Sequence, residues 1–259
     1  MNWPVKIAGF AYRNWIFAWR SIFSFVEILF WPVVNLISIG FMAEFLRFEA
    51  NIRNFVFTGV IASSMLQITQ LDVSYSVLYD VWSKSSKHTY LAPIDHVQYL
   101  LGAWLVGMVR GTLVFVLMSL AAVFWYGFDM PPLHAILLFV SGVFLTALTV
   151  GTLVCIVITL YGQKVEVTAW SMVALLMMLS GIYYPVEYLP EPVRFVSQSI
   201  PLTYFLSYLR GFYGFESTFD YGLIKGFIGV LVYEALGILL LSGAYRRSSR
   251  TGKIINLSE

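Results

Sequence analysis

The sequence predicts an all-α fold, a polytopic membrane protein with six transmembrane helices in a single domain, 1–259. Of the 259 residues, 59% are hydrophobic and only 12% are charged. The mean hydropathy is +0.78, far above that of a soluble domain. Apolar runs of about 20 residues, the length needed to cross a hydrocarbon layer, recur along the chain. Together these observations exclude an ordinary soluble protein.

The first 21 residues are predicted to form an amphipathic helix, 1–21, in the membrane interface. Pro4 suits the first turn of a helix, and Lys6, Arg13 and Arg20 recur every seven residues. That spacing gives a basic stripe that would face lipid headgroups. The alternative is a long cytoplasmic end of the first spanning helix, because amphipathicity does not show where a helix bends.

The apolar runs that follow place the spanning helices. Pro32 should kink the first of them locally, and the fifth is the shortest. The six predicted spans are residues 22–46, 54–80, 98–125, 134–160, 167–184 and 221–245.

The basic residues indicate the orientation. With both termini in the cytoplasm, basic residues on the inner side outnumber those on the outer side by about two to one, as the positive-inside rule requires. The inner set is Lys6, Arg13, Arg20, Lys84, Lys87, Lys164, Arg246, Arg247, Arg250 and Lys253, and the outer set is Arg47, Arg53, Arg194, Arg210 and Lys225. The net charge of +2 is too small to indicate nucleic-acid binding.

The cytoplasmic connection 82–96 is polar in its first half, then apolar, and is broken by Pro93. This pattern predicts a short helix across the inner membrane face, shaped to press into a groove on a soluble partner. An ordinary solvated loop is the alternative.

His88 and His96 lack the acidic or cysteine neighbours of a metal site. Cys155 is the only cysteine, which excludes an intrachain disulfide.

The external segment 185–204 interrupts the apolar pattern. It contains four prolines together with Glu187, Glu191 and Arg194, so it does not continue a spanning helix. Its remaining residues are too apolar for a free loop. Two short re-entrant helices, buried against protein, satisfy both facts. A flat cap on the outer headgroups is the alternative, because tyrosines are enriched at such interfaces.

Charged residues inside the predicted spans need partners. Arg110 lies within the third span and keeps its charge, so it should meet an acid or helix-end carbonyls. Asp72, near the inner end of the second span, is the preferred partner, and Glu27 in the first span is the alternative. Glu234, deep in the sixth span, is predicted to face the interior without an obvious partner.

Several motifs resemble those of ABC-2 type transporter permeases, and together they cover most of the chain. The most specific runs from Ser180 to Tyr213, with Ser-Gly-Ile-Tyr-Tyr-Pro-Val-Glu-Tyr-Leu-Pro followed by Ile-Pro-Leu-Thr-Tyr and Leu-Arg-Gly-Phe-Tyr-Gly. The weaker matches are Asn54 to Ala62 opening the second span, Tyr90 to Ile94 before the third, and Leu101-Gly102 with Gly107 to Gly111 within it.

The resemblance implies a half-transporter that forms a homodimer and binds two copies of a separate ABC ATP-binding subunit. The sequence contains no Gly-x-x-x-x-Gly-Lys-Ser/Thr loop for nucleotide phosphates. The chain is therefore expected to be a transport subunit rather than an enzyme. It would bind no cofactor directly, with ATP and Mg on the partner subunit.

The resemblance also implies roles for particular residues. The 82–96 element would be a coupling helix against the ATPase, and the outer helices would form an exit gate. Arg110 would form a structural ion pair rather than contact substrate. The coupling candidates are Trp82, Lys84, Lys87, His88, Tyr90, Leu91 and Pro93; the gate candidates are Tyr183, Tyr184, Pro185, Glu187, Pro201 and Tyr204; the pathway candidates are Phe23, Phe25, Phe30 and Trp170.

The implied function is ATP-driven export by alternating access at a dimer interface. The exported substrate would be an amphiphile: a lipid-linked saccharide, a lipo-oligosaccharide or a hydrophobic drug. The expected location is the cytoplasmic membrane of a bacterium or archaeon, in contact with membrane lipids. A passive channel or a non-transporting signalling subunit would share the six-span topology. An intramembrane enzyme is disfavoured, because the sequence shows no paired His/Glu metal motif and no Gly-x-Ser-x-Gly elbow.

Overall fold

The described part of the chain folds into helices joined by short connections. A computed structural model describes residues 3–20, 22–83, 89, 95–215 and 219–250, without side chains at 20, 22–25, 27–28, 163 and 249–250. No strand occurs in these ranges. The α-helices are α1 (Trp3–Arg20), α2 (Ile22–Phe45), α3 (Ala50–Trp82), α4 (His96–Tyr126), α5 (Leu133–Tyr161), α6 (Thr168–Leu179), α7 (Glu191–Ser197), α8 (Pro201–Arg210) and α9 (Gly222–Arg250).

Four helices of the described chain are long and apolar enough to cross a membrane. They are Ala50–Trp82, His96–Tyr126, Leu133–Tyr161 and Gly222–Ser248, which correspond to the predicted second, third, fourth and sixth spans. Each of these helices begins before or ends after the span predicted for it, because a helix can continue past the hydrocarbon layer into polar chain. Two shorter apolar helical stretches, Leu29–Phe45 and Thr168–Leu179, lie in the predicted first and fifth spans.

The helix in the predicted fifth span, 167–184, is shorter than expected. It ends at Leu179, where the Ser180 N–H donates to the Leu176 carbonyl oxygen at 2.8 Å. Gly181 then adopts a φ of +73°, the left-handed conformation that commonly terminates a helix. The 12 residues of α6 reach about 18 Å, less than the roughly 30 Å of a hydrocarbon core. Residues 180–184 therefore form a turn rather than the last turns of a spanning helix.

The molecule is organised around α3. This helix packs most extensively against α4 and α5, and it also contacts α2, α6 and α8. In the apolar stretch of α3, 94% is buried within the chain, whereas only 22% of the apolar stretch of α9 is buried. Buried side chains of α3 contribute to all three hydrophobic clusters of the described chain. The helix is therefore the core of the fold rather than a surface element.

The segment predicted to be external, 185–204, contains the short helix α7 and the start of the short helix α8, and two short helices were predicted there. The second extends to Arg210, beyond the predicted end at 204, because an apolar face continues along it. Its buried residues recur at helical spacing and pack against α5 and α9; they are Leu202, Phe205, Leu206 and Leu209.

Candidate functional site

Asp80, in the last turn of α3, joins three helices at one end of the molecule. It forms an ion pair with Arg13 of α1, and its Oδ2 accepts a hydrogen bond from the Tyr99 hydroxyl of α4 at 3.0 Å. The Asp80 side chain is only 6% exposed. The Arg13 guanidinium also lies over the Phe10 ring, 4.8 Å from its centroid. We call Arg13, Asp80 and Tyr99 the Asp80 cluster; it fastens α1 and α4 to the end of α3.

The Asp80 cluster borders the predicted coupling helix. Of the coupling candidates, only Trp82 lies in the described ranges, and its ring packs edge-on against Tyr75 and Tyr79 at 5.6 Å from each. The other candidates lie outside the described residues: Lys84, Lys87, His88, Tyr90, Leu91 and Pro93.

Arg110 of α4 forms an ion pair with Asp72 of α3, the partner preferred from the sequence. The side chains are 10% and 9% exposed, so the pair is shielded within the helix packing. A paired charge is tolerated in such a setting because each ion offsets the desolvation of the other. The side chain of Glu27, the alternative partner, is not among those described.

Charge reversal tests whether this ion pair supports assembly. Arg110→Asp and Asp72→Arg each bring like charges together in a buried site, at a cost on the order of 3–5 kcal/mol. Each single change should therefore abolish the folded, monodisperse fraction in size-exclusion chromatography. The double exchange should recover a large part of it. A double variant that assembles no better than the singles would contradict a supporting role for the pair.

At the opposite end of α3, Arg210 fills the junction between α8 and the turn after α6. Its guanidinium donates to the carbonyl oxygens of Gly181 and Ile182, both at 2.6 Å, and to that of Phe55 at 3.3 Å. The charge also lies 3.5 Å from the centroid of the Phe55 ring, a close cation–π contact. We call Arg210, Phe55, Gly181 and Ile182 the Arg210 cluster. It ties the external segment to α3.

Arg210 was predicted only as one of the outer basic residues, but it is buried, with 4% of its surface exposed. Burial lowers the pKa of the Arg210 guanidinium to about 9, and the Glu187 carboxylate opposes this shift. The side chain therefore keeps its charge at neutral pH. Its signal in the sequence is an arginine at the end of an amphipathic helix whose other buried residues are mostly apolar.

Gly59 of α3 makes the close approach of the turn possible. A Cβ atom there would lie 1.9 Å from the Ile182 carbonyl oxygen and 3.0 Å from the Arg210 guanidinium. Neither neighbour can move freely, because the carbonyl belongs to the backbone and is hydrogen-bonded to Arg210. The glycine is thus part of the contact that holds the Arg210 cluster against α3.

Gly59→Ala should lower the melting temperature, because the added methyl group forces the turn away from α3, an overpacking cost of about 1–3 kcal/mol or more. Gly243→Ala is the matched control in a membrane helix, since nothing lies within 4 Å of the atom added there. Thermal unfolding of the two variants in the same detergent compares them directly. Equal melting temperatures would show that the turn does not depend on this contact.

The predicted gate residues lie around this cluster. The Tyr183 hydroxyl accepts a hydrogen bond from the Asn35 amide of α2 at 3.4 Å, and the Tyr184 hydroxyl donates to the Met178 carbonyl oxygen. The Tyr204 hydroxyl donates to the Gln198 carbonyl oxygen at 2.5 Å, which joins α8 to the end of α7. The Tyr183 and Tyr184 hydroxyls thus link the turn after α6 to α2 and to α6 itself, and the Tyr204 hydroxyl links the two helices of the external segment.

The other gate candidates have distinct positions. Pro201 is the first residue of α8, and Pro185 precedes the short 3₁₀ turn Val186–Tyr188. Glu187 and Pro185 line a cavity of about 110 Å³ beside Arg210, and Glu187 also lines a neighbouring cavity of about 210 Å³. Small cavities therefore remain beside the packed residues of the external segment.

A set of aromatic side chains lies at the partly exposed face of α3, together with rings from α2 and α6. The Trp170 indole N–H donates to the Tyr75 hydroxyl at 2.9 Å, and Trp170 packs edge-on against Trp31 at 6.4 Å. Trp31 is half exposed. We call this set the aromatic surface: Trp31, Tyr75, Tyr79, Trp82 and Trp170.

The aromatic surface was only partly predicted. Trp170, a pathway candidate, belongs to it, and Phe30, another candidate, is exposed and packs edge-on against Trp31. The side chains of Phe23 and Phe25 are not among those described. Tyr75 and Tyr79 were not predicted, and Trp82 was predicted only as a coupling residue. The three follow one another at spacings of four and three, which places them on one helix face.

Comparison with known proteins bears on these arrangements. A sequence model of the ABC-2 type transporter family matches residues 7–213. The chain belongs to this family. The match includes both the Asp80 cluster and the Arg210 cluster.

The ABC-2 chain is also similar to an uncharacterised protein of Archaeoglobus fulgidus. The two are 46% identical over 44 residues, which is 17% of this chain and 69% of that protein.

Family membership fixes the general role of the chain. It is a multi-pass membrane permease subunit of an ABC transporter, which is a different component from the ATPase. An ABC ATP-binding subunit is accordingly its partner.

Proposed function

We propose that this permease exports an amphiphile, with ATP hydrolysed on two copies of the partner subunit. The main support is that two buried polar clusters, the Asp80 cluster and the Arg210 cluster, lie near opposite ends of α3. Gly59, which contacts the Arg210 cluster, and Asp80 are separated by about 32 Å of continuous helix. A single buried helix thus connects a site beside the predicted coupling helix with the external segment.

The conformational change driven by ATP binding would begin in the permease at the predicted coupling helix, residues 82–96. ATP binding draws the partner subunits together, and the coupling helix follows the surface on which it is docked. The Asp80 cluster supports this step, because its ion pair and hydrogen bond bind α1 and the start of α4 to the end of α3. These three helix ends would therefore move as one body.

The conformational change would then reach the external segment. The three hydrogen bonds donated by Arg210 support this step, since they attach the turn at Gly181 and Ile182 to α3 through the Phe55 carbonyl. A displacement of α3 would carry the turn with it. The gate candidates Tyr183, Tyr184 and Tyr204 would then open or close the exit between two copies of the chain.

The pathway would lie between the two copies of a homodimer. Most of α3 is buried in its own protomer, so this helix would contribute little surface to the pathway. The aromatic surface, which is partly exposed along α3, would line the pathway beside exposed residues of α2 such as Phe30. Flat aromatic faces with hydroxyl and indole groups at their edges suit an amphiphile, a lipid-linked saccharide, lipo-oligosaccharide or hydrophobic drug.

This proposal includes a six-span topology in the cytoplasmic membrane of a bacterium or archaeon. α2 and α6 would contribute the first and fifth spans, with both termini in the cytoplasm and membrane lipids around the helices. The turn after α6 would lie within the outer part of the membrane, sheltered by α7 and α8, because unpaired backbone is tolerated at that depth only against protein. ATP and Mg would bind to the partner subunit alone.

A cross-linking experiment tests the proposal. Tyr188 is 83% exposed in the external segment, so Tyr188→Cys in a Cys155→Ser background offers one accessible thiol per protomer. The permease is co-purified with its ATP-binding subunit and placed in liposomes with fluorescently labelled phospholipid and glycolipid. We expect ATP-dependent translocation, and bifunctional thiol cross-linking should reduce it about tenfold or more because product release requires the gate to open.

The controls separate the alternatives. Uncross-linked Tyr188→Cys should translocate like the Cys155→Ser parent, and a reducible cross-linker should allow recovery. Undiminished translocation by the cross-linked dimer would contradict the gate. Translocation of the same size without ATP would indicate a passive channel instead.

A further inference from the structure

Glu234 lies in the middle of α9, one of the helices long enough to cross a membrane. It follows Gly222, the first residue of the helix, by about 18 Å along the axis. Its neighbours Leu231 and Leu236 are more than half exposed on the outer face of the helix bundle. The carboxyl group is therefore far from either end of α9 and close to a lipid-facing surface.

The polar contacts of Glu234 come from hydroxyl groups of α5. Its Oε1 accepts a hydrogen bond from the Thr152 hydroxyl of α5 at 3.0 Å. Its Oε2 is buried and has no hydrogen-bond partner within the described chain. Gly237, one turn further along α9, lets the helices approach closely, because its Cβ position lies 3.1 Å from Thr152 Cγ2. The Thr149 hydroxyl, one turn before Thr152 on α5, also lies near the carboxyl group.

No cation of the described chain compensates a charge on Glu234. The elements packed against α9 are α5, α8 and α4. The titratable group facing Glu234 from α5 is Cys155, and α8 presents Tyr204 near the outer end of α9. From α4, His96 contacts Ser242 near the other end, with its ring nitrogen 2.6 Å from the serine hydroxyl oxygen. Arg110, the arginine within α4, forms its ion pair with Asp72.

We propose that Glu234 is a proton-binding site within the membrane, occupied at neutral pH, and that it is a modification site for hydrophobic carbodiimides. An ionised carboxylate at this depth would be strongly disfavoured unless it were paired. The protonated form removes that cost and keeps the hydrogen bond from Thr152. This inference does not depend on the direction or substrate of transport.

The modification chemistry requires the protonated acid. The acidic proton passes to one nitrogen of the carbodiimide, and the carboxyl oxygen forms a bond to its central carbon. The resulting O-acylisourea rearranges by transfer of the acyl group from oxygen to nitrogen, which yields a stable N-acylurea. All atoms of both reactants remain in the product, so no oxidant or further reactant is needed.

Labelling of the intact permease tests this inference. The protein in lipid nanodiscs is treated with dicyclohexylcarbodiimide at neutral pH, and peptides are mapped by mass spectrometry. We expect an adduct on Glu234 that is absent in E234Q and decreases as the pH is raised. A water-soluble carbodiimide should instead modify Glu191, whose side chain is 88% exposed.

Two variants make the test decisive. E234Q resembles the protonated acid in shape and hydrogen bonding, so its melting temperature should stay close to that of the wild type. Thr152→Val removes one of the two hydroxyls that stabilise an ionised carboxylate, so labelling should persist to higher pH than in the wild type. An unlabelled Glu234 in the folded wild type, or labelling that does not change with pH, would overturn the proposal.

Discussion

Arg210→Ala is expected to produce a large loss of stability. The substitution removes the donor to the carbonyl oxygens of Gly181, Ile182 and Phe55 and leaves a void at a site that is 4% exposed. Each buried carbonyl left without a donor costs about 1–3 kcal/mol, so the total should be about 3 kcal/mol or more. Thermal unfolding of the purified permease measures this loss. ATP-dependent translocation should fall with it, because the turn is no longer attached to α3.

Arg210→Lys and Arg194→Ala are the controls for this prediction. Lysine keeps the charge, but its ammonium cannot reach three carbonyls in the planar geometry of a guanidinium, so it should be intermediate. Arg194 lies in the same external segment with a side chain that is 40% exposed, and its alanine variant should unfold like the wild type. If Arg210→Ala and Arg194→Ala were equally stable, the Arg210 cluster would not hold the segment.

Asp80→Asn should have the second largest effect, and it should act on coupling as well as stability. Asparagine retains the size of the side chain but removes the charge that Arg13 meets in a largely buried site. Breaking a buried pair in this way costs about 3 kcal/mol. In the complex with its ATP-binding subunit, we expect ATP hydrolysis to continue while translocation falls about tenfold or more. Parallel assays of phosphate release and lipid translocation on one preparation measure both.

A double-mutant cycle distinguishes the ion pair from a general loss of packing. Arg13→Gln and Asp80→Asn should together cost less than the sum of the single changes, with a coupling energy of about 1–3 kcal/mol. Tyr99→Phe removes only the hydroxyl that donates to Asp80 and should have the smaller effect. Additive costs for Arg13 and Asp80 would contradict a direct partnership.

The sequence predicted those features that depend on apolar length. Long uninterrupted runs specify α3, α4, α5 and α9, because only a helix satisfies its backbone within hydrocarbon. The pairing of Arg110 with Asp72 was also accessible, since an arginine in a span requires an acid at a similar depth. The fifth span was predicted to be the shortest, but the end of α6 at Leu179 was not foreseen, because apolar residues continue through Ile182 after Gly181 has already ended the helix.

The two clusters at the ends of α3 were harder to predict. Asp80 and Arg210 both lie at the ends of helices, where a charge is usually solvated, and their partners are distant in sequence. Arg13 meets Asp80 only because α1 packs beside α4 and the end of α3. Arg210 meets the Gly181 and Ile182 carbonyls only because Gly59 allows the turn to approach α3. Tertiary packing buries these charges, and it is not visible in local composition.

The proposal that α3 links the two ends of the permease is tested most directly by distance measurements between two protomers. Spin labels at Tyr188→Cys in the Cys155→Ser background report the separation of the external segments in the complex with ATP-binding subunits. Pulsed electron paramagnetic resonance should show a shift in this distance when ATP is trapped, and Asp80→Asn should abolish the shift although nucleotide still binds. An equal shift in both proteins, or none in the parent, would contradict the role of α3.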